Sequence, residues 1–121
     1  MPRLTYLCSP YASPDPEVRK LRFDTVNRVA GILIAHGLMI FSPLSHSMPI
    51  AAADPGVPRG FWFWRDFDLH IINLSKEVIV LTLDGWRESE GVTAEIKYAR
   101  DVGIPVKFVD ENGDFLEGVP K

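Results

Sequence analysis

One cysteine in 121 residues, no long apolar run and no basic run exclude several broad classes of protein at the outset. Cys8 alone can build neither a disulfide framework nor a cysteine-rich zinc site, so a reducing compartment is expected, and its apolar surroundings in the sequence make it core. No stretch approaches the ~18 apolar residues of a membrane span. The opening MPRLTYLCSPY also lacks the apolar segment of a signal peptide. No membrane partner is expected, and the cytoplasm is the default location. The 13 Lys and Arg against 16 Asp and Glu give a net charge of −3 with no basic stripe, which argues against a nucleic-acid polymer as partner. His36, His46 and His70 do not fall at ligand spacing with cysteines or acids, so no metal site is expected. The chain also has no G-x-x-x-x-G-K-[ST] loop, no G-x-G-x-x-G fingerprint and no G-x-S-x-G elbow, which argues against an NTPase, a Rossmann dehydrogenase and an α/β-hydrolase. A receiver domain would need an acidic pair after the first strand, where this chain has Ser9-Pro10-Tyr11.

What is present is an ordinary folded composition. Apolar residues make up 46%, and 10 prolines with 9 glycines point to definite turns rather than disorder, so residues 1–121 read as one domain. Leu4 to Cys8 read as a buried strand closed by Ser9-Pro10. A helix is expected from about Asp15 to His36, where apolar residues recur at helical spacing, Pro16 suits the first turn and Gly37 the stop. Leu38 to Phe41 make a second strand. Ser42 to Gly60, rich in proline and without a clear period, reads as a long functional loop. A second helix from Phe61 to about Leu74 follows, then a strand from Glu77 to Leu83, a third helix from about Glu90 to Val102, and a strand from Val106 to Val109. Asn112-Gly113 turns the chain into a minor final strand. Alternating strands and helices predict an α/β fold with an open three-layer parallel sheet, flavodoxin/Rossmann-like, of four main strands plus that minor C-terminal one. In such a fold the loops after the strands, bearing Ser9, Ser42 and Asp84, converge on one rim, where open α/β sheets bind ligands.

Two acids stand where acids should not. Glu95 shares a helical stripe with Val92, Ala99 and Val102, and Asp68 shares a face with Trp64, Ile71 and Ile72. Burying a carboxylate costs several kcal/mol unless something offsets it. Either residue alone reads most simply as the solvated edge of its stripe; their joint occurrence points to a cleft in which two carboxylates in different surroundings divide the roles of base or nucleophile and proton donor. Tyr6, near the end of the first strand, is placed to hydrogen-bond and orient Glu95, although a strand tyrosine is most often core. Ser89 stands at the N-cap of the third helix, just before Gly91, and its hydroxyl with the free helical amides could also hold a phosphate. Half of the cluster Phe61, Trp62, Phe63 and Trp64 is expected in the core, with one ring, Trp64 among the candidates, free to stack on a heterocycle. His46 is the one histidine of interest, because it lies in the long loop.

The strand tyrosine in LTYLCSPY, Asp68-Leu69 on the helix before EVIVL, and SEGVTAEIKYA with Glu95 and Ala99 together resemble the nucleoside 2-deoxyribosyltransferase superfamily. The resemblance runs from about Leu4 to Val109. Within that superfamily the chain looks most like a small bacterial group of unassigned function, marked by the Ser9-Pro10-Tyr11 loop, the Ser42 to His46 segment and the Gly85-Trp86…Ser89…Glu95 signature. The resemblance implies an N-glycosyl hydrolase or transferase in which Glu95 attacks C1′ of the sugar and forms a glycosyl ester. Asp68 would handle the proton on the departing base, and Tyr6 would position the nucleophile. Ser89 falls where the related 5′-monophosphate N-glycosidases carry a serine. The substrate implied is a small nucleoside or nucleotide, held by Ser9, Pro10, Tyr11, His46, Trp64, Asp84, Ser89 and Gly91. No metal or organic cofactor is required, and a homodimer or higher homo-oligomer is expected. Two other classes compete with this reading. One is a nucleotide-binding sensor without turnover, and the other an interaction module whose acids pair structurally with Arg65 or Arg100.

Overall fold

The structure, a computed structural model, describes residues 2–120. Its elements in chain order are β1 (Leu4–Cys8), α1 (Pro16–Ala35), β2 (Met39–Phe41), α2 (Pro43–Ala53), α3 (Phe61–Asn73), β3 (Ser75–Leu81), α4 (Glu90–Asp101), β4 (Val106–Val109) and β5 (Phe115–Leu116). They form one five-stranded sheet in the order β2-β1-β3-β4-β5. All neighbours run parallel except β4 and β5, which are antiparallel. This is the expected three-layer α/β arrangement of flavodoxin-like order.

Strand alternation divides the core in two. Tyr6, Cys8, Val78, Val80 and Phe108 point to the face covered by Leu69 and Ile72 of α3 and Val92 and Ala99 of α4. Leu7, Ile79, Leu81 and Val109 point to the opposite face, under Val26, Val29 and Leu33 of α1. Because β1 and β3 are central, both faces are buried, which is why their sequences are almost continuously apolar.

The helix ends follow local chemistry. Asp15 caps α1 by accepting from the Glu17 amide, and Gly37, with φ +98°, supplies the left-handed stop. At the β4–β5 turn, Asp110 Oδ1 accepts from the amides of Asn112 and Asp114, and Gly113 takes φ +80°.

Three expectations are corrected. The segment expected as a loop from Ser42 to Gly60 contains α2, with Pro43 in its first turn and Ser42 accepting from the Ser45 amide as its cap. Pro49 within that helix hid its period, yet Leu44, Met48 and Ala51 fall at helical spacing. Strand β3 begins earlier and ends at Leu81 rather than Leu83. Thr82 still bonds to the Val109 carbonyl, but the Leu83 amide turns back to the Leu81 carbonyl, so the apolar run outlasts the strand. The aromatic cluster at the start of α3 does not enter the core: Trp62 and Phe63 are 69% and 56% exposed, while Phe61 and Trp64 are half-buried. Only farther along α3, from Asp68, does the helix meet the sheet.

No helix among the described residues is long and apolar enough to cross a membrane.

Candidate functional site

A cavity of about 510 Å³ opens at the C-terminal rim of the sheet. The β1–α1 loop contributes Ser9 and Tyr11, α2 contributes Ser47 and Met48, and the start of α3 adds Phe61 and Trp64. The remaining wall comes from Ser89, Gly91 and Glu95 of the α4 segment, with Asp68 of α3. Its volume suits a small organic ligand.

Glu95 is 4% exposed and Asp68 is 6% exposed, so the departures from periodicity in the sequence correspond to buried acids. Neither belongs to an ion pair among the described residues; Arg65 pairs instead with the exposed Asp66 at 3.2 Å. The structural pairing with Arg65 or Arg100 is therefore set aside. Glu95 accepts a hydrogen bond of 2.5 Å from the Tyr6 hydroxyl. Burial lifts the Glu95 carboxyl to about 8, the Tyr6 hydrogen bond opposes that rise, and the nearby Asp68 charge adds to it. Burial alone lifts Asp68 to about 7. Tyr6 is itself pushed well above the ordinary tyrosine range, first by burial and then by Glu95 and Asp68, so it stays a donor.

Two buried side-chain atoms among the described residues have no hydrogen-bond partner, Ser9 Oγ and Asp68 Oδ1, and both residues line this cavity. An unpartnered buried polar atom costs about 1–3 kcal/mol. Finding both on the lining of one cavity marks a place where a polar ligand would recover that energy.

The rim loops are fixed by a residue that the sequence did not single out. Arg22 of α1 donates to the carbonyls of Tyr11 and Ala12 on one loop and of Asp84 on the other, at 3.4, 2.8 and 2.8 Å. Gly85 has φ +92°, which favours glycine, and a Cβ there would lie 2.4 Å from Arg22 Nη2, so a side chain at this position would also displace the guanidinium from the loop carbonyls. Ser89 caps α4 through the Val92 amide at 3.2 Å. At Gly91 a Cβ would meet Phe61 at 3.1 Å, so the missing side chain lets the ring close over the first turn of α4.

Of the residues expected at the site, Tyr6, Asp68 and Glu95 are brought together, and Ser9, Tyr11, Trp64, Ser89 and Gly91 line the same cavity. His46, Asp84 and Pro10 are not on its wall. His46 stacks on Phe67 at 5.0 Å and 11° and meets Trp64 edge-on at 5.9 Å, so it backs the wall from behind. Asp84 is exposed and serves through its carbonyl, while Pro10 is buried beneath the loop. Arg22, Met48 and Arg59 line the cavity without any signal in the sequence, because only the packing of α1, α2 and the α2–α3 loop at the rim brings them there. Among the described residues there is no group of three or more His, Cys, Asp or Glu suited to a metal ion.

The chain matches the family described as a domain of unknown function (DUF1937) over residues 3–111, and it belongs to that family. No curated protein matches it.

Proposed function

We propose that the protein is an N-glycosyl hydrolase or transferase that cleaves the bond between base and sugar in a nucleoside or nucleoside 5′-monophosphate through a glycosyl ester on Glu95. The observation that carries this reading is the buried Tyr6–Glu95 hydrogen bond facing the same cavity as the unpartnered Asp68. The sequence resemblance to nucleoside 2-deoxyribosyltransferases supports the same roles.

Cleavage of an N-glycosidic bond develops positive charge at C1′ and negative charge on the departing base. A carboxylate below C1′ stabilises the first and a protonated acid neutralises the second. Glu95, ionised, attacks C1′ as the C1′–N bond breaks; the electron pair of that bond leaves with the base, which takes its proton from Asp68. Water then attacks C1′ of the ester, gives a proton back to Asp68 and releases Glu95; a second base in place of water gives transfer. Two displacements return the original configuration at C1′. Tyr6 holds Glu95 and favours its ionised form. At the far end of the cavity, Ser89 and the first amides of α4 suit a 5′-phosphate, with the Arg22 guanidinium beside Gly85 adding positive charge.

The test is base release from the common ribo- and deoxyribonucleosides and their 5′-monophosphates, alone and with a second free base, followed by chromatography. Release or exchange that is lost in Glu95→Gln supports the reading, and silence from folded protein across this panel and the corresponding 5′,5′-dinucleotides refutes it.

A second reading has one observation in its favour. With its carboxyl lifted to about 8, Glu95 is mostly protonated near neutrality, as suits a pocket that binds a nucleotide without turning it over. Tight binding that is indifferent to Glu95→Gln, with no base release, would favour that sensor.

A further inference from the structure

A second groove, of about 480 Å³, lies between α1 and α2 and adjoins the main cavity, with Tyr11, Met48 and Arg59 lining both. Its charge is one-sided. Arg19, Lys20 and Arg59 line it and no Asp or Glu does, in a chain whose net charge is −3. Arg59 is exposed and belongs to no ion pair among the described residues. Lys20 pairs with Asp24 at 2.5 Å, but both are exposed, and such an i,i+4 pair yields at small cost. Arg19 uses one donor on the Ser13 carbonyl and keeps others free. Beneath the cations the floor is apolar, made by Phe23, Met48 and Pro49.

Cations over an apolar, partly aromatic floor suit a ligand that is anionic and flat at once. The two spaces are also joined at the appropriate end. Tyr11, which lines both, has its carbonyl held by Arg22, and Arg22 stands beside Gly85 in the main cavity, next to Ser89. A group extending from the 5′ end of a nucleotide held at Ser89 would reach the groove across the residues the two spaces share, Tyr11, Met48 and Arg59.

We infer that this groove is the subsite for a second nucleotide unit, so that the preferred substrate is a dinucleotide joined through its 5′-phosphates; this rests on the N-glycosyl reading above. The scissile bond lies over Glu95. The distal phosphate is held by Arg59 and Lys20, and the distal nucleoside lies against Phe23.

The test is calorimetric binding to the Glu95→Gln protein of nucleoside 5′-monophosphates, 5′-diphosphates and symmetrical 5′,5′-dinucleoside diphosphates of the same base, beside wild-type turnover of the monophosphates. The expected result is a dinucleotide bound about tenfold tighter than its monophosphate, as two added charge-assisted contacts would give. That gain should disappear in Lys20→Gln and Phe23→Ala, with monophosphate binding unchanged. Lys20 is exposed, so its variant folds even if the Phe23 variant does not. Equal binding of the two ligands, with Glu95-dependent turnover of monophosphates intact, overturns the groove and spares the N-glycosyl reading. A gain that survives Lys20→Gln, or that the simple diphosphate reproduces in full, also overturns it. No binding of any nucleotide and no base release overturns both.

Discussion

The Tyr6 hydroxyl donates to Glu95 at 2.5 Å, joining the middle of a central strand to a helix residue 89 positions later in the chain. Both groups are buried and Glu95 lines the rim cavity, so the bond fixes the carboxylate at the cavity wall and lowers the cost of its charge. Removing the hydroxyl should therefore affect ionisation as well as position. Tyr6→Phe is expected to cut kcat/KM by about 10- to 100-fold, the range of one positioned catalytic hydrogen bond, and to move the rising limb of the pH–rate profile toward alkali. Steady-state kinetics across pH would check both; a lower rate with an unmoved limb would mean that Tyr6 only packs.

Glu95→Gln keeps the shape of the side chain and removes the nucleophile. Activity is expected to fall at least about a thousandfold, while the far-UV spectrum and melting temperature hold or improve, because a neutral amide avoids the burial cost of a charge. A melting temperature that falls sharply would show Glu95 to be structural instead.

The two acids also set the pH dependence. Activity needs Glu95 ionised and Asp68 protonated, so the rate should rise as one proton leaves the pair and fall as the second leaves. The result is a narrow bell between about 7 and 8. Asp68→Asn leaves Glu95 to titrate alone beside a neutral partner, so in whatever activity remains the falling limb should vanish and the rising limb should lie no lower than in the wild type. Both folded values lie above the unfolded carboxyl range near 4, so folding takes up protons at these groups. Their contribution to stability is fullest below about pH 4 and is lost as pH rises toward about 8. Melting curves of wild type and Glu95→Gln should diverge across that interval, the variant gaining relative stability as pH increases.

Glu77 behaves in the opposite sense. It accepts from Thr5 at 3.0 Å and pairs with Lys107 at 3.0 Å, on the α1 side of the sheet away from the cavity. Burial opposes its ionisation, but the hydrogen bonds of Lys107 and Thr5 outweigh it and hold the carboxyl below its usual value. Its contribution is present above the unfolded pKa near 4.3 and is lost as pH falls through the folded value. Glu77→Gln should cost about 1–2 kcal/mol at neutral pH, the scale of a charged hydrogen bond, and little in acid, with base release unchanged. Denaturant titrations at two pH values would check this.

Much of this arrangement was legible in the chain. Glu95 and Asp68 stood out because a buried stripe tolerates few carboxylates, and the strand order followed from alternating elements with right-handed crossovers. Helix α2 did not stand out, since Pro49 broke a period that the Ser42-Pro43 cap and first turn would have supported. His46 showed the limit of reading position from sequence: placing it near the rim was within reach, but whether it faced the cavity or stacked on Phe67 depended on how α2 meets α3. Arg22 gave no sign at all. Its role exists only because the fold brings residues 11 and 84 within reach of one guanidinium.

That role carries its own expectation. Gly85→Ala forces a side chain into a left-handed conformation and against Arg22, and should cost about 1–3 kcal/mol of stability. Arg22→Ala releases the same two loops and should raise KM more than it lowers kcat. Melting temperature and steady-state kinetics on both variants would separate loop order from chemistry.

The central claim is that Glu95 forms a covalent ester with the sugar. Its most direct test is the configuration at C1′ of the glycoside formed in aqueous methanol from a substrate the wild-type protein cleaves, read by proton NMR. Retention, abolished in Glu95→Gln, is the result this account predicts. Inversion, or turnover that persists without the Glu95 carboxylate, would contradict it.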